Sequence, residues 1–315
     1  MSSRRKFIIG STAVLGGVAA GAHLSSCSAH DAPRAIGNTD PKTALVAWYS
    51  QTGHTARMGK LMAQTWRAAG LEVLASDIRK VDPQQAAQYD LLLLGAPVNF
   101  MDLPPNVLQW LDRLPDLGKS ACASYVTYGN DGHNEHNTAC HILEIAAERG
   151  AATVGMELFS NMNTFSPFYL TQSGLKRVLR YRNLPDEQQF ERARNFAADV
   201  LQAVRAGRIT PIEHKFDIAA LGTMFAPVWW TKQAINLHRI DPETCIECGA
   251  CQDKCPVGAI DLAARSIDHD KCIACMGCVN NCPTTALEME LFGRRVTGFK
   301  RMCEQQDIVI AEPEV

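Results

Sequence analysis

Eight of the twelve cysteines lie close together near the C-terminus, and their spacing is the strongest chemical signal in the chain. Cys245, Cys248, Cys251 and Cys255 are followed by Pro256, which gives the pattern C-x2-C-x2-C-x3-C-P. The second copy of this pattern, 27 residues later, consists of Cys272, Cys275, Cys278, Cys282 and Pro283. Cysteines clustered in this way indicate metal chemistry more than a dispersed disulfide framework.

Two other interpretations of these cysteines fit the spacing less well. Zinc sites usually pair two C-x2-C knuckles across a long span, without a third cysteine two residues further on. Disulfide bonds between cysteines separated by two residues rarely reach an unstrained geometry. The spacing instead favours two [4Fe–4S] clusters, because the two-residue gaps let successive thiolates reach three corners of a cube.

The cysteine module resembles the bacterial two-cluster ferredoxin, in which each cluster takes three cysteines from one run and its fourth from the other. This resemblance implies a cluster one held by Cys245, Cys248, Cys251 and Cys282. It implies a cluster two held by Cys272, Cys275, Cys278 and Cys255. We expect Gly249 and Gly277 to supply the backbone freedom of the two tight loops. The implied domain is α+β and covers residues 240–290, with a tail over residues 291–315.

The N-terminus is typical of an export signal rather than of a folded domain. The stretch SRRKFI from Ser3 resembles a twin-arginine signal, and a Gly/Ala-rich apolar run follows it. LSSC, ending at Cys27, resembles a lipobox, which would make Cys27 the lipidated first residue of the mature protein. The alternative is an uncleaved membrane helix. We expect a signal over residues 1–27, a tether over 28–42 and a protein anchored in the periplasm by lipid or by this segment.

Strand and helix patterns alternate between Thr43 and Gly207. Five short apolar segments have strand character: TALVAWY, LEVLASDI, DLLLLGAP, SACASYVTYG and AATVGMELF. The continuous hydrophobicity of the third is typical of a parallel strand buried on both faces. Helical patterns separate the segments and end with a long helix from about Pro185. The alternation predicts a doubly wound α/β domain over residues 43–207, with an irregular insertion at 160–184.

The loop after the first strand has the composition of a phosphate site at a helix N-terminus. Its residues are Ser50, Gln51, Thr52, Gly53, His54 and Thr55. This loop resembles the flavodoxin signature (S/T)-x-T-G-x-T, and two later loops carry the same resemblance. They consist of Ala96, Pro97, Val98, Asn99 and Phe100, and of Thr127, Tyr128, Gly129 and Asn130. The resemblance implies a five-stranded sheet in the order 2-1-3-4-5 and FMN held by the three loops.

Several residues near these loops have two interpretations. Phe100 or Tyr128 stacks on the flavin ring, or either one is a core aromatic. After Asn130 the sequence DGHNEHN departs from the family pattern, and its His133 and His136 are either solvated or catalytic.

The isolated cysteines and the connector are less informative. Cys122 and Cys140 are expected to be small buried groups, and Cys303 has no evident partner. The connector, residues 208–239, contains the apolar stretch FDIAALGTMFAPVWW. It packs between the domains, or it contacts a membrane or a quinone.

The order of the parts resembles the flavodoxin/ferredoxin fusion family, which implies electron transfer. No G-x-G-x-x-G follows a strand, so no dedicated NAD site is expected. A net charge of -2 gives no basis for nucleic-acid binding. One hypothesis is a membrane-tethered carrier between FMN, the clusters and a redox protein or quinone. The others are an FMN-dependent reductase of a small oxidised substrate or quinone, and an iron–sulfur carrier with a flavin-free scaffold.

Overall fold

A computed structural model describes residues 34–129, 134–215 and 227–314. The export signal with Cys27, the first part of the tether, Asn130, His133 and residues 216–226 of the connector lie outside the described residues. The described elements form a sheet flanked by helices, followed by a smaller cysteine-rich part.

The N-terminal half contains a five-stranded parallel sheet in the order β2-β1-β3-β4-β5. The strands are β1 (Thr43–Trp48), β2 (Glu72–Asp77), β3 (Leu91–Pro97), β4 (Ala121–Gly129) and β5 (Ala152–Asn161). The first six residues of β3 are all buried, as its unbroken apolar sequence predicts. The predicted fold class is confirmed, because this strand order defines the flavodoxin-like doubly wound fold.

The helices that cover the two faces of this sheet are α1 (His54–Ala68), α2 (Pro105–Leu111), α3 (Glu135–Glu148) and α5 (Glu187–Arg205). Helix α4 (Gln172–Leu179) lies in the insertion between β5 and α5. Helices α1 and α5 contribute to one apolar core, and α2 and α3 contribute to the other. Trp66 of α1 is fully buried, and its indole N–H donates to the carbonyl of Ala197 in α5 at 2.8 Å. Each large side chain buried in this way stabilises the fold by about 1.5–3 kcal/mol.

The insertion between β5 and α5 is partly helical. It contains a short 3₁₀ helix, Ser166–Leu170, followed by α4. The amide of Asn280, only 1% exposed, donates to the carbonyl of Thr164 at 2.9 Å and accepts from the backbone N–H of Phe299 at 2.9 Å. It also accepts from the hydroxyl of Ser166. The insertion is therefore fastened to the cysteine-rich part through one buried amide.

The C-terminal part is small and α+β. Its helices are α6 (Pro227–Gln233), α7 (Ala250–Lys254), α8 (Gly277–Asn281) and α9 (Phe299–Gln305). Its strands are β6 (Ile235–Ile240), β7 (Ile260–Asp261), β8 (Ser266–Ile267), β9 (Leu287–Leu291) and β10 (Arg294–Arg295). Strands β10, β9 and β6 form an antiparallel sheet, and β7 pairs with β8. Buried apolar residues of both repeat copies form a core of their own.

The internal repeat also exists in the backbone. Positive φ angles occur at the paired positions Glu247 (53°) and Ala274 (53°), and again at Gly249 (76°) and Met276 (61°). The counterpart of Gly249 is therefore Met276 and not Gly277, which starts α8. The expectation that Gly277 supplies the turn was wrong, since a methionine adopts the left-handed conformation there.

The connector is exposed where the structure describes its apolar end. Trp229 and Trp230 of α6 are 52% and 60% exposed and pack edge to face on each other. These two residues do not pack between the domains as the first interpretation expects. In the described ranges, no helix combines the length and the apolar character needed to cross a membrane.

Candidate cofactor sites

A cavity of about 320 Å³ lies at the carboxyl edge of the sheet. The predicted residues that line it are Ser50, Gln51, Thr52, His54, Thr55, Pro97, Val98, Asn99, Phe100, Thr127, Tyr128 and Gly129. All three predicted loops thus meet at one cavity, next to the switch point between β1 and β3 where this fold places its ligand. Gly53 and Ala96 belong to the same loops but do not line the cavity. The volume falls within the usual range for small-molecule sites, roughly 300–1,000 Å³.

The loop between β1 and α1 is shaped to receive an anion. Gly53 has a φ of 96°, and its N–H donates to the hydroxyl of Ser50 at 3.1 Å. This turn leads directly into α1, whose N-terminal end carries partial positive charge. The hydroxyl of Thr55 is hydrogen-bonded to that of Thr127 at 2.8 Å, which ties this loop to the end of β4.

His54 is the strongest structural indication that this loop binds a ligand. The residue lines the cavity and is 5% exposed, and neither ring nitrogen completes a well-formed hydrogen bond, although the side chain of Asn161 lies beside the ring. Burial, and then the nearby positive charge of Arg57, lowers the pKa of His54 to about 3. The ring is therefore neutral and carries one N–H. A buried donor without a partner is costly, and a phosphate oxygen would satisfy it. The residues present thus fit the phosphate of FMN.

Part of the cavity wall is aromatic. The rings of Phe100 and Phe165 pack edge to face with centroids 5.4 Å apart, and Phe168 packs against Phe165 at 5.8 Å. Phe100 has a φ of 48° in the tight turn after β3. Both predicted aromatics, Phe100 and Tyr128, therefore lie at the cavity rather than in the core, and flat apolar walls of this kind suit an isoalloxazine ring.

The sequence interpretation missed part of the lining. Pro104, which belongs to the stretch that resembles the flavodoxin loop after the third strand, lines the cavity too. The additional residues are Tyr49, Met101, Asn161, Met162, Asn163, Thr164, Phe165, Phe168, Arg177 and Cys275. Among them, the side-chain N–H of Asn161 donates to the carbonyl of Phe159 at 2.9 Å, whereas its buried Oδ1 has no partner. That oxygen is a second unsatisfied group that a ligand hydroxyl or N–H would satisfy. For the residues within 160–184, the enrichment of Asn, Phe and Tyr was the available signal.

His136 and the three isolated cysteines that the structure describes lie outside the cavity. His136 does not line the cavity, because its Nε2 is hydrogen-bonded to the backbone carbonyl of Glu213 at 2.7 Å. Cys122 and Cys140 are fully buried, as expected for small core groups. Cys303 is also buried, in α9, and packs with Met162 and Val178.

The eight clustered cysteines surround two further small cavities. The first is lined by Cys245, Cys248, Cys251 and Cys282. The second is lined by Cys255, Cys272, Cys275 and Cys278. These are the same two groups of four that the ferredoxin resemblance implies, with Cys255 and Cys282 each beside the other run.

The loops around the second cavity direct backbone N–H groups at sulfur. The N–H of Ala259 donates to Cys255 Sγ at 3.2 Å, and that of Ala274 donates to Cys272 Sγ at 3.4 Å. The repeated positive φ angles produce the alternating left- and right-handed backbone that forms anion nests, including those of iron–sulfur sites. Burial raises the pKa of Cys275 to about 12, because a buried thiolate without a nearby cation is unfavourable. The donor set fits a negatively charged cluster.

A site for one metal ion is a different arrangement. Among the residues that the structure describes, no group of three or more His, Cys, Asp or Glu side chains is arranged to hold a single ion. Zinc binds all its ligands about 2.0–2.3 Å from one point. A four-iron cluster separates its thiolates further, because each one binds a different iron. The two cysteine-lined cavities are thus the candidate metal sites.

The cavity lined by the three predicted loops, the flavin-type cavity, has a lining residue in common with the second cysteine cavity. Cys275 lines both of them. Gln51 of the phosphate loop accepts, through its carbonyl, a hydrogen bond from Asn281 of α8 at 3.1 Å. Burial and then the neighbouring Cys275 raise the pKa of Tyr49, which also lines the flavin-type cavity. The loop that contains Cys275 therefore contacts the ligand cavity directly.

The first cysteine cavity lies nearer the surface. Cys248 is exposed, and its neighbour Ile246 is 63% exposed. In the second set Cys278 is buried, and Cys255, Cys272 and Cys275 are partly buried. The two sets thus have different access to solvent and to a partner.

Solved structures similar to this chain include several flavodoxins. The flavodoxin of Streptococcus pneumonia TIGR4 is 15% identical, with 51% of this chain and 98% of that chain covered and a TM-score of 0.41. Flavodoxin 1 from Bacillus cereus is 21% identical, with coverages of 51% and 97% and a TM-score of 0.39. Rubredoxin oxygen:oxidoreductase from Desulfovibrio gigas is 15% identical, with coverages of 53% and 37% and a TM-score of 0.38. The fold assignment rests on the strand order and not on these scores.

A family model matches the C-terminal part. Residues 237–304 match the family described as a 4Fe-4S dicluster domain. The matched range includes all eight clustered cysteines and extends beyond the predicted range 240–290 at both ends. This part of the chain is therefore similar to iron–sulfur dicluster domains.

Proposed function

We propose that the protein is an electron-transfer protein in which FMN and two [4Fe–4S] clusters lie in series. One observation carries this proposal: Cys275 lines both the flavin-type cavity and the second cysteine cavity. Electron transfer needs short separations between cofactors, and a shared side chain provides one. The series runs from the exposed side of cluster one, at Cys248, through cluster two to the flavin.

The residues of the chain have separate tasks in this arrangement. The loop at Gly53 and the ring of His54 bind and orient the phosphate, and the side-chain oxygen of Asn161 accepts a hydrogen bond from the ligand. Phe100 and Phe165 cover the aromatic end and exclude water. When bound, FMN supplies the ability to accept one or two electrons, whereas each cluster exchanges one electron at a time.

Anaerobic purification with flavin, iron and sulfide analysis tests the proposal. We expect one FMN and about eight irons per chain, since each cluster holds four. A redox titration should then resolve the flavin and two cluster transitions. Stoichiometric iron without flavin would establish the flavin-free scaffold instead, and stoichiometric zinc without iron would exclude both.

A reductase is the second candidate, because the insertion lines the cavity as well. Phe168 is 36% exposed and lines the cavity together with Arg177, so a small oxidised substrate or quinone has a route towards the flavin. The variant Phe168→Ala separates the two functions. A reductase should show a changed KM for a water-soluble quinone, whereas a carrier should keep its rate with a protein acceptor.

We also propose that the protein is exported across the bacterial inner membrane, remains periplasmic and is anchored there by a lipid or by its N-terminal segment. The basis is the sequence of residues 1–27 alone. A carrier in that compartment would meet a redox protein or a membrane quinone. Replacing Arg4 and Arg5 by lysine in the full chain should leave the protein in the cytoplasm, as judged by cell fractionation. Unchanged export of that variant would contradict the twin-arginine route.

A further inference from the structure

The second cysteine cavity contains a hydrogen bond from a side chain as well as from the backbone. His238, on β6, is 7% exposed, and its Nε2 lies 3.5 Å from Sγ of Cys278. A thiolate that binds iron can only accept a hydrogen bond, so Nε2 must carry the proton. His238 also lines this cavity.

The other ring nitrogen supports the same tautomer. Nδ1 is buried and has no hydrogen-bond partner. The ring of His269 packs edge to face against that of His238, with centroids 5.6 Å apart. A proton on Nε2 is directed at sulfur, whereas a proton on Nδ1 would have no acceptor. An unsatisfied buried nitrogen costs free energy, so the residue is not explained by packing alone.

The repeat provides a natural comparison for cluster one. The position 27 residues after His238 is Arg265. Its guanidinium is hydrogen-bonded to the carboxylate of Glu247 at 2.8 Å, at the surface. Cys251, the counterpart of Cys278, is therefore not the partner of the equivalent side chain. The two otherwise matched cavities differ at this position.

We propose that His238 sets the reduction potential of cluster two above that of cluster one, through its N–H···S hydrogen bond to Cys278. The inference rests on the proposed function, because it assumes that the two cavities hold clusters. A reduced cluster carries one more negative charge than an oxidised one, and a donor directed at its sulfur stabilises the reduced form more. Electrons entering at cluster one would then move downhill to the cluster beside the flavin. His238 is a positioning residue, since it contacts a ligand and not the reacting atoms.

The test is a redox titration of the anaerobically purified full chain, monitored by electron paramagnetic resonance. In His238→Leu the N–H is lost, and we expect the midpoint potential of one cluster to shift to a more negative value while the other is unchanged. His238→Gln carries an amide N–H near the position of Nε2 and should restore most of the shift. Arg265→Leu is the matched control and should shift neither cluster.

Each outcome has a definite meaning. Equal shifts of both clusters, no shift in His238→Leu, or a Gln variant that behaves as the Leu variant would overturn the role of His238. If His238→Leu does not retain iron, His238→Phe fills the ring volume without the N–H and makes the same comparison. A wild-type protein without two cluster signals would instead overturn the proposed function, whatever the variants do.

Discussion

At the scale of single residues, the pairing of Cys255 with the second cysteine run is the most direct claim to test. Cys255 follows its own run in the chain but lines the cavity of Cys272, Cys275 and Cys278. We predict that Cys255→Ser removes the signal of cluster two and lowers the iron content from about eight to about four per chain. Iron analysis and electron paramagnetic resonance measure both effects.

The control for this prediction is Cys303→Ser. Cys303 is buried in α9 and lines neither cysteine cavity, so its replacement should leave the iron content unchanged. Loss of the cluster at Cys245 and Cys248 in Cys255→Ser, with the other retained, would contradict the crossed arrangement.

A second residue-scale prediction concerns Gly53. Its φ of 96° is strained for any residue with a Cβ, and left-handed backbone costs an L-residue about 1–2 kcal/mol. Because this turn presents the phosphate loop, we predict that Gly53→Ala raises the Kd for FMN roughly tenfold, the factor that corresponds to about 1.4 kcal/mol. Fluorescence titration of the flavin-depleted protein with FMN measures the change.

Gly70 offers a matched control for this variant. Its φ is 93°, and an added Cβ would have nothing within 4 Å. Gly70→Ala should therefore cause a similar loss of stability, about 1–2 kcal/mol, without affecting FMN. Equal FMN affinities in the two variants would show that the turn at Gly53 does not shape the binding loop.

Single residues were predictable where chemistry depends on spacing along the chain. The cysteine runs and the phosphate loop have fixed local patterns, so the sequence alone indicated them. Asn161 and His238 have no such pattern, because each contacts its site through the tertiary fold. Gly277 was misassigned for a related reason. Glycine is the residue that usually adopts a positive φ, but here the preceding residue, Met276, adopts it.

At the scale of elements, Asn280 fastens the insertion to α8 and α9. Its amide joins the carbonyl of Thr164 to the backbone N–H of Phe299, and both bonds are 2.9 Å long. Removing the amide leaves buried groups without partners, which costs about 1–3 kcal/mol for each group. We predict that Asn280→Ala lowers the free energy of unfolding by about 2–4 kcal/mol.

Because Thr164 and Phe165 line the flavin-type cavity, the same variant should also release FMN faster. Thermal unfolding and the rate of flavin fluorescence recovery on dilution measure the two effects. Asn236→Ala is the control: this residue is exposed and accepts one hydrogen bond from the N–H of Gly293 at 2.8 Å. A loss of stability no larger than that of the control would show that the insertion is held by other contacts.

The elements themselves were largely predictable, because the apolar runs of the sheet alternate regularly with amphipathic helices. The insertion was not predictable. Its helix α4 is amphipathic and packs Leu175, Val178 and Leu179 into one cluster, but the pattern does not show that this face contacts α9. Its position depends on tertiary contacts with residues more than 100 positions away in the chain, among them the amide of Asn280 and the apolar side chains of α9.

At the scale of the whole molecule, the three proposed cofactors follow one another in series, and the first of them, cluster one, is accessible to a partner protein. Cys248 of cluster one is exposed, whereas Cys275, which lines the flavin-type cavity, is only partly exposed. A protein donor should therefore reduce the flavin only through the clusters, with cluster two as the obligatory step beside the cavity.

This arrangement gives a kinetic prediction that two variants can separate. With a reduced ferredoxin as donor, Cys272→Ala should still show reduction of cluster one in rapid mixing, but no bleaching of the flavin. Cys248→Ala should show neither, because it lacks the surface cluster. Cys272 is the better choice for removing cluster two, since Cys275 also lines the flavin-type cavity and its replacement would alter the flavin site. Flavin bleaching at the wild-type rate in Cys272→Ala would mean that electrons reach the flavin by another route, and the series order would have to be abandoned.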